Sequence, residues 1–165
     1  MPEKKTVEKA KRARREGKAP STQAGEFVRE EVHHVREGKH GARSTKQAIA
    51  IGLSKARRAG VDLPPPEKGT VTEKTRRSAE RARKFGQQGK TKTSPRRSKV
   101  TQRALKREGR SAVSKKELSK QARSAARRRR PSERKSAAKR AAQTKGRGGR
   151  SAAARKAART RARRT

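Results

Sequence analysis

The sequence predicts an all-α protein of short helices: a small helical hairpin, then cationic helices, then a largely disordered tail. Three observations lead to this expectation. Only 26% of the 165 residues are hydrophobic, and because 26 residues are alanine, 17 larger apolar side chains remain. Nine of those 17 lie between Thr22 and Leu63, and none follows Leu118. The formal net charge is +39. So few large apolar residues at so high a charge cannot build an extensive core.

Residues 22–63 carry the pattern of a helical hairpin, and residues 1–21 form a basic N-terminal segment before it. We expect the first helix over about residues 23–37, because three valines recur there at i, i+4 and i+7. Gly38 then supplies a helix stop. The three valines are Val28, Val32 and Val35.

The second helix of the hairpin is predicted to begin at Ser44. Gln47 follows three residues later, which completes a capping-box pattern. The helix is expected to run to about Ala59, and Val61 and Leu63 are expected to fold back over its last turn.

A proline-rich linker over residues 64–70 separates the hairpin from residues 71–130, which we expect to form cationic helices and loops. One helix is predicted over residues 71–85, with Phe85 on its apolar face as a core residue. Another is predicted to begin at a capping box formed by Ser114 with Glu117. Their faces are weakly apolar, so these helices are predicted to be mostly cationic.

The tetrapeptide Ser94-Pro95-Arg96-Arg97 is similar to the Ser-Pro-basic-basic turns of histone tails. In such a turn a compact backbone presents two cations to the narrow minor groove of A·T-rich DNA. An exposed proline turn in a basic linker is an equal alternative. We expect the next helix to begin after this turn, with Ser98 as its cap.

Residues 131–165 form a low-complexity tail of Ala, Arg, Lys and Ser. Alanine and basic residues favour helix, but like charges three and four residues apart repel one another. We therefore expect this tail to be disordered alone and helical once phosphates neutralise it.

The distribution of charge indicates a polyanionic partner. Residues 81–165 hold 33 basic and 3 acidic side chains. Lysine and arginine release condensed counterions when they contact phosphates, which gives binding that depends on salt and not on base sequence. Duplex DNA is the expected partner, and RNA remains open because 31 of the 53 cations are Arg. The cations expected to contact nucleic acid are Arg96, Arg97, Arg127, Arg128, Arg129, Arg130, Lys139, Arg140, Arg147, Arg150, Arg155, Lys156 and Arg159.

Other classes of partner are not expected. No basic helix carries the bulky apolar face that a membrane surface requires, and no long apolar run is present. Readers of single strands stack bases on aromatic rings, but the chain has only Phe27 and Phe85, which we expect in the core.

Enzymatic and cofactor chemistry is also not expected. The chain has no cysteine, and Gly86–Thr91 lacks two of the residues that a phosphate-binding loop has between its glycines. The three histidines are His33, His34 and His40; neighbouring histidines on a helix point to different faces, so no metal site and no cofactor are predicted. We also expect Glu30 and Glu31 on a salt-bridging helix surface rather than in an acid–base pair.

Two segments support a resemblance. Residues 35–60, from Val35-Arg36-Glu37-Gly38-Lys39 to Ser54-Lys55-Ala56-Arg57-Arg58-Ala59-Gly60, resemble a bacterial family of small basic proteins labelled DNA-binding or plasmid stabilisation. Residues 105–129 resemble a second element of that family. The tail is similar in composition to the basic tails of linker histones. The resemblance implies a chromatin-like role.

The combined expectation is a histone-like, nucleoid-associated protein of the cytoplasm that binds duplex DNA through phosphates without sequence preference, compacts or bridges it, and has no enzymatic activity. Two alternatives remain open: an RNA- or ribosome-associated basic protein, and a plasmid-maintenance interaction protein whose tail localises it to DNA. Because its core is so small, the chain could also form a homo-oligomer through the 22–63 hairpin.

Overall fold

The computed structural model describes residues 2–89 and 94–163, without the side chains of Thr144, Lys145 and Arg147. Within these residues the protein is all-α, as predicted, and contains no β-strand beyond one isolated bridge between Lys68 and Val71. The elements are α1 (Lys4–Arg15), α2 (Pro20–Arg36), α3 (Thr45–Arg58), α4 (Glu73–Gln87), α5 (Pro95–Lys106), a 3₁₀ turn (Ser111–Val113), α6 (Lys115–Arg128) and α7 (Pro131–Ala162).

The chain divides into two compact units, residues 1–121 and residues 122–165. In the first unit α1 packs on α2, α2 on α3 and α3 on α4, and the 3₁₀ turn contacts α2 and α3. No helix of the described chain is both long enough and apolar enough to cross a membrane.

The first of two small cores lies among α1, α2 and α3. Its centre is Phe27, which is fully buried and packs with Ala10, Ala24, Ala56 and Val61. The sequence analysis assigned no helix to residues 1–21, yet α1 supplies Ala10 to this core. Alanines at helical spacing were enough to bury one face of α1. Val61 and Leu63 fold back onto the core as predicted.

The helices of this unit approach one another very closely. A Cβ atom added at Gly52 of α3 would lie 2.7 Å from Val28 Cα of α2, so the two backbones are nearly in contact there. Only glycine permits this approach, because any side chain would separate the helices.

The second core is completed by residues far away in the sequence. Val35 of α2 and Ala48 of α3 pack with Ala112 and Val113 of the 3₁₀ turn. The Thr45 hydroxyl donates to the Ala112 carbonyl oxygen over 2.6 Å. Residues 111–113 therefore close a core that the sequence analysis placed in the hairpin alone. The Arg36 guanidinium donates twice to the carbonyl oxygen of Val113, over 3.2 and 3.1 Å.

Backbone hydrogen bonds join the loop after α2 to the end of α5. Gly41 N–H donates to the Leu105 carbonyl oxygen over 2.8 Å, and Ala42 N–H donates to that of Gly109 over 2.9 Å. A Cβ atom at Gly41 would overlap the Glu108 carbonyl oxygen. Two similar sequences, Arg36-Glu37-Gly38-Lys39 and Arg107-Glu108-Gly109-Arg110, therefore lie side by side in the folded chain.

The serine caps predicted at Ser44 and Ser114 are confirmed. Ser44 Oγ accepts a hydrogen bond from Gln47 N–H over 3.2 Å, and Ser114 Oγ accepts one from Glu117 N–H over 3.3 Å. Each satisfies a backbone donor that the first turn of a helix leaves unpaired. The predicted stop at Gly38 is also confirmed, because Gly38 has a φ of 77°.

The prediction for Phe85 is wrong. Ala79 and Ala82 of α4 are buried and Gly86 lies against the backbone of Arg57, but Phe85 is 48% exposed. Because small residues already make the contact between α3 and α4, the ring of Phe85 has no cavity to enter.

The prediction of a largely disordered tail is also wrong, because α7 spans residues 131–162. Ten of these residues are alanine, the best helix former, and Pro131 occupies the first turn. The Glu133 carboxylate accepts the backbone N–H of Arg130 over 3.0 Å, which caps the helix. These local preferences outweigh the repulsion between like charges. Gly146, with φ 63° and ψ −178°, interrupts the helix.

We predict that Gly41→Ala destabilises the first unit by about 2 kcal/mol, since overpacking typically costs about 1–3 kcal/mol. The added methyl group has to push the loop away from Glu108. Because the chain has no Trp or Tyr, thermal unfolding is followed by far-UV circular dichroism.

Gly25→Ala is the matched control, since a Cβ atom there has no neighbour within 4 Å and Gly25 is inside α2. It should keep or raise the melting temperature, because Ala is the better helix former by about 0.5–1 kcal/mol. Equal melting temperatures for the two variants would contradict the close approach at Gly41.

Candidate nucleic-acid interface

The expected phosphate contacts lie on the surfaces of α5, α6 and α7. Except for Arg147, whose side chain lies outside the described part of the chain, every one of these cations is an exposed residue. They are available to a large anionic partner, and both units contribute to them. This arrangement suits contact with an extended polyanion.

The pair Arg96 and Arg97 is displayed on a helix and not on a turn. The helix α5 begins at Pro95, and Ser98 N–H donates to the Ser94 carbonyl oxygen over 3.0 Å inside its first turn. The expected compact turn at residues 94–97 and the expected cap at Ser98 are therefore wrong. Proline at the first helical position has a φ value suited to the helix and lacks an N–H that would be unpaired there.

The four arginines 127–130 lie at the junction of α6 and α7. Arg127 and Arg128 form the last turn of α6, where cations interact favourably with the helix dipole. Arg130 is extended, with φ −62° and ψ 151°, as expected for a residue before proline. Four adjacent cations are thus presented partly on a helix and partly on extended backbone.

Carboxylates are too few to neutralise this part of the chain. Among its three acidic residues, Glu108 pairs with Arg43 over 3.5 Å and Glu133 caps the start of α7. Three acidic residues against 33 basic ones leave residues 81–165 with a formal net charge of +30.

The N-terminal part has a different balance, because 11 acidic residues face 20 basic ones in residues 1–80. Many of these carboxylates form ion pairs. Arg83 Nε lies 2.7 Å from Asp62 Oδ1, and the hydrogen bond from Arg83 holds the pKa of Asp62 below its ordinary value. Hydrogen bonds from Arg76 lower the pKa of Glu73 to about 2. The cations in these pairs are less available to phosphates.

A second group of polar residues converges between α2, α3 and the loop after α2. One ligand atom from each of Glu31, His34 and His40 can be chosen so that all three lie within 4.8 Å of one another. His40 Nε2 is 3.2 Å from Glu31 Oε1, and Lys55 Nζ is 2.7 Å from Glu31 Oε2. The side chain of Glu31 is fully buried. His33 points elsewhere and is exposed.

The sequence did not predict this group. Glu30 and Glu31 were expected on a helix surface, and that expectation is wrong, since both residues are buried and both pair with Lys55 of α3. The available signal was Glu31 and His34 at i and i+3, the Glu-x-x-His spacing that places both side chains on one face of a helix. The contribution of His40 depends on the path of the loop, which spacing does not specify.

The glycine-rich hexapeptide 86–91 shows no phosphate-binding geometry in its described part. Gly86 and Gln87 complete α4, and Gly89 follows with a φ of 68°. Lys90 and Thr91 lie outside the described residues.

Comparison with known proteins gives one similarity. Residues 2–68 match a family of unknown function, DUF6496. The matched region contains α1, α2 and α3, and with them Glu31, His34, His40 and Lys55. No curated protein and no solved structure matches the chain. The similarity covers the N-terminal helices and not the cationic helices α4 to α7.

We predict that the carboxyl group of Glu73 titrates near pH 2, and that Arg76→Gln returns its pKa toward the ordinary value of 4.5. The lowered pKa means that the pairing stabilises the fold fully above about pH 4.5 and loses this effect as the pH falls toward 2. Carbon-detected NMR titration of the Glu73 carboxyl group measures both values. Arg81→Gln on the same helix is the control and should leave the titration unchanged; a midpoint near 4.5 in the unaltered chain would contradict the pairing.

Proposed function

We propose that this protein is a histone-like, nucleoid-associated protein of the cytoplasm that binds duplex DNA mainly through its phosphates. The single observation that carries the proposal is the exposure of many cations on α5, α6 and α7, three helices that together hold two acidic residues. Binding is then governed by counterion release and is indifferent to base sequence. We expect no catalytic activity.

In this proposal the two units have different roles. The α2–α3 hairpin over residues 22–63 is the ordered centre of the first unit, whose carboxylates are largely paired. The helix α7 carries eleven basic residues and one acidic residue over 32 residues, so phosphates can approach it from several sides. Contacts on several sides of one cationic helix would let it neutralise and bridge duplexes.

Self-association through the hairpin is not part of the proposal. Val32 and Leu53, two of the residues that would form such an interface, already pack against the cores of their own chain.

The first test is the affinity for duplex DNA over a salt series. Replacing Arg150, Arg155, Lys156 and Arg159 of α7 by Gln should reduce the slope of log K against log salt by up to about 3.6, since each phosphate contact contributes about 0.9. Glutamine also favours helix, so α7 is kept.

The matched control replaces four cations of the first unit that form ion pairs. Their side chains are all 65–68% exposed. Those residues are Arg12, Arg29, Arg77 and Lys84. Both variants lose four positive charges, but the control should lose less than about one unit of slope. An equal loss in both would show that net charge alone determines binding and would contradict the assignment to α7.

One observation favours RNA or single-stranded nucleic acid as a second candidate partner. Phe85 is 48% exposed on the basic helix α4, where its ring can stack on an unpaired base. The same side chain has no function in binding the backbone of a duplex.

Phe85→Ala discriminates between the two candidates. If an unpaired base stacks on the ring, affinity for structured RNA with a single-stranded loop should fall about 5- to 160-fold, which corresponds to about 1–3 kcal/mol. Duplex DNA binding should not change. Val100→Ala is the control, because Val100 is 62% exposed and cannot stack. Equal RNA affinity for both variants would remove the stacking argument.

A further inference from the structure

The group formed by Glu31, His34 and His40 has features that nucleic-acid binding does not explain. It brings two imidazoles and one carboxylate together in a chain with only three histidines and 14 acidic residues. These residues come from one face of α2 and from the loop that follows Gly38. The chemistry of this group is independent of the proposed function.

The carboxylate of Glu31 is buried with too few partners. Its side chain is 0% exposed, and no donor in the described chain is oriented to make a hydrogen bond to either oxygen. The neighbouring groups are Lys55 Nζ, 2.7 Å from Oε2, and His40 Nε2, 3.2 Å from Oε1. A buried carboxylate is costly unless charge and hydrogen bonds compensate it. Lys55 supplies a positive charge beside Oε2. Among the described residues, the other oxygen, Oε1, has only His40 as a neighbour that could compensate it.

In the neutral tautomer that fits its contacts, His40 carries no hydrogen on the nitrogen that faces Glu31. His40 Nδ1 lies 3.1 Å from the carbonyl oxygen of Gly41, and because this oxygen only accepts hydrogen bonds, Nδ1 carries the hydrogen. In a neutral ring the lone pair is then on Nε2, which faces Glu31 Oε1. Two acceptors 3.2 Å apart repel each other unless a cation lies between them. A backbone carbonyl on the far nitrogen is also the usual partner of a metal-ligating histidine.

His34 supplies the third ligand atom. Its Nε2 lies 2.9 Å from Glu3 Oε1. Carboxylates of this kind orient imidazole ligands in metal sites. A hydrogen bond between His40 and Glu31 would involve only those two side chains, whereas three converging ligand atoms are the arrangement of a metal centre.

We propose that Glu31, His34 and His40 bind a divalent transition-metal ion, with Zn²⁺ as the ion that best matches two imidazoles and one carboxylate. Tetrahedral zinc with bonds of about 2.0–2.1 Å places its ligand atoms about 3.3 Å apart. Glu31 Oε1 and His40 Nε2 already have that separation, at 3.2 Å. His34 offers a ring nitrogen within 4.8 Å of the other two ligand atoms, and water would take the fourth position.

The surrounding charges are consistent with this ion. Glu31 Oε2 keeps its contact with Lys55, so the carboxylate can bridge the metal and the ammonium group. Glu30 Oε1 also lies 3.2 Å from Lys55 Nζ and reduces the repulsion between Lys55 and the metal. The bound ion would fasten the loop after α2 to the helix, and this loop in turn holds the end of α5.

The test uses the full-length chain without a histidine tag, freed of metal by chelation. Zn²⁺ is titrated in competition with a metallochromic chelator, and the expected result is one ion per chain. Imidazole NMR locates it, because the chain has only three histidines. Resonances of His34 and His40 should shift with Zn²⁺ in a 1:1 ratio, and those of exposed His33 should not.

Variants supply the second readout. His34→Gln and His40→Gln should each weaken Zn²⁺ binding more than about 100-fold, which exceeds the 10–100-fold effect of losing an outer partner. His33→Gln, one residue away on α2, should bind as the unaltered chain does. Helix content is measured in parallel, and if a variant does not fold, the imidazole shifts of the unaltered chain decide.

Three results would overturn the proposal: no stoichiometric binding, equal shifts at all three histidines, or equal losses in His33→Gln and His40→Gln. An imidazolium on His40 that stays protonated at saturating Zn²⁺ would assign the group to a simple ion pair instead.

Discussion

The close approach of α2 and α3 is the constraint on which the first unit depends. Of the thirteen buried hydrophobic residues in the described chain, nine are alanines and the others are Phe27, Val35, Val61 and Val113. Because these side chains are small, they fill a core only if the backbones of the helices lie very close together. The backbones of α2 and α3 do so at Gly52. That approach places Lys55 of α3 against Glu30 and Glu31 of α2. The packing and the buried ion pair are therefore consequences of the same shortage of large side chains.

The acidic residues are concentrated in the part of the chain that forms the core. Eleven of the 14 acidic residues lie in the first 80 residues, where they neutralise cations beside packed helices. The excess positive charge is concentrated on α5, α6 and α7, and no described residue of these helices is buried. Repulsion between like charges therefore acts mainly on helices that contribute little to the core. The same separation leaves those cations available to an external polyanion.

Helices with clear local signals could be predicted, and contacts between alanines could not. The first residues of α3 and α6 could be predicted from Ser44 and Ser114, because each serine is followed three residues later by Gln or Glu in a capping-box pattern. The helix α1 and the contribution of Val113 were missed because alanine gives a weak hydrophobic periodicity and because a core contact more than 60 residues away leaves no local trace. The candidate sites show the same difference. Exposed cations can be predicted from composition, but the contact between Glu31 and His40 depends on the path of the loop after α2, which no local pattern specifies.

Because α7 is helical, the tail would lose less conformational entropy on binding a polyanion than a disordered tail would. A disordered tail loses conformational entropy when it binds, and that loss weakens the interaction. In α7 alanine propensity and the cap at Glu133 have already ordered the backbone, so less entropy is lost in binding. Cations such as Arg155 and Arg159, four residues apart, still repel each other on this helix. In the proposed complex, phosphates bound between them would remove this repulsion, so helix stability and phosphate binding would increase together. The tail is in this sense a preorganised polycation, divided at Gly146 into two segments that can each follow a separate stretch of phosphates.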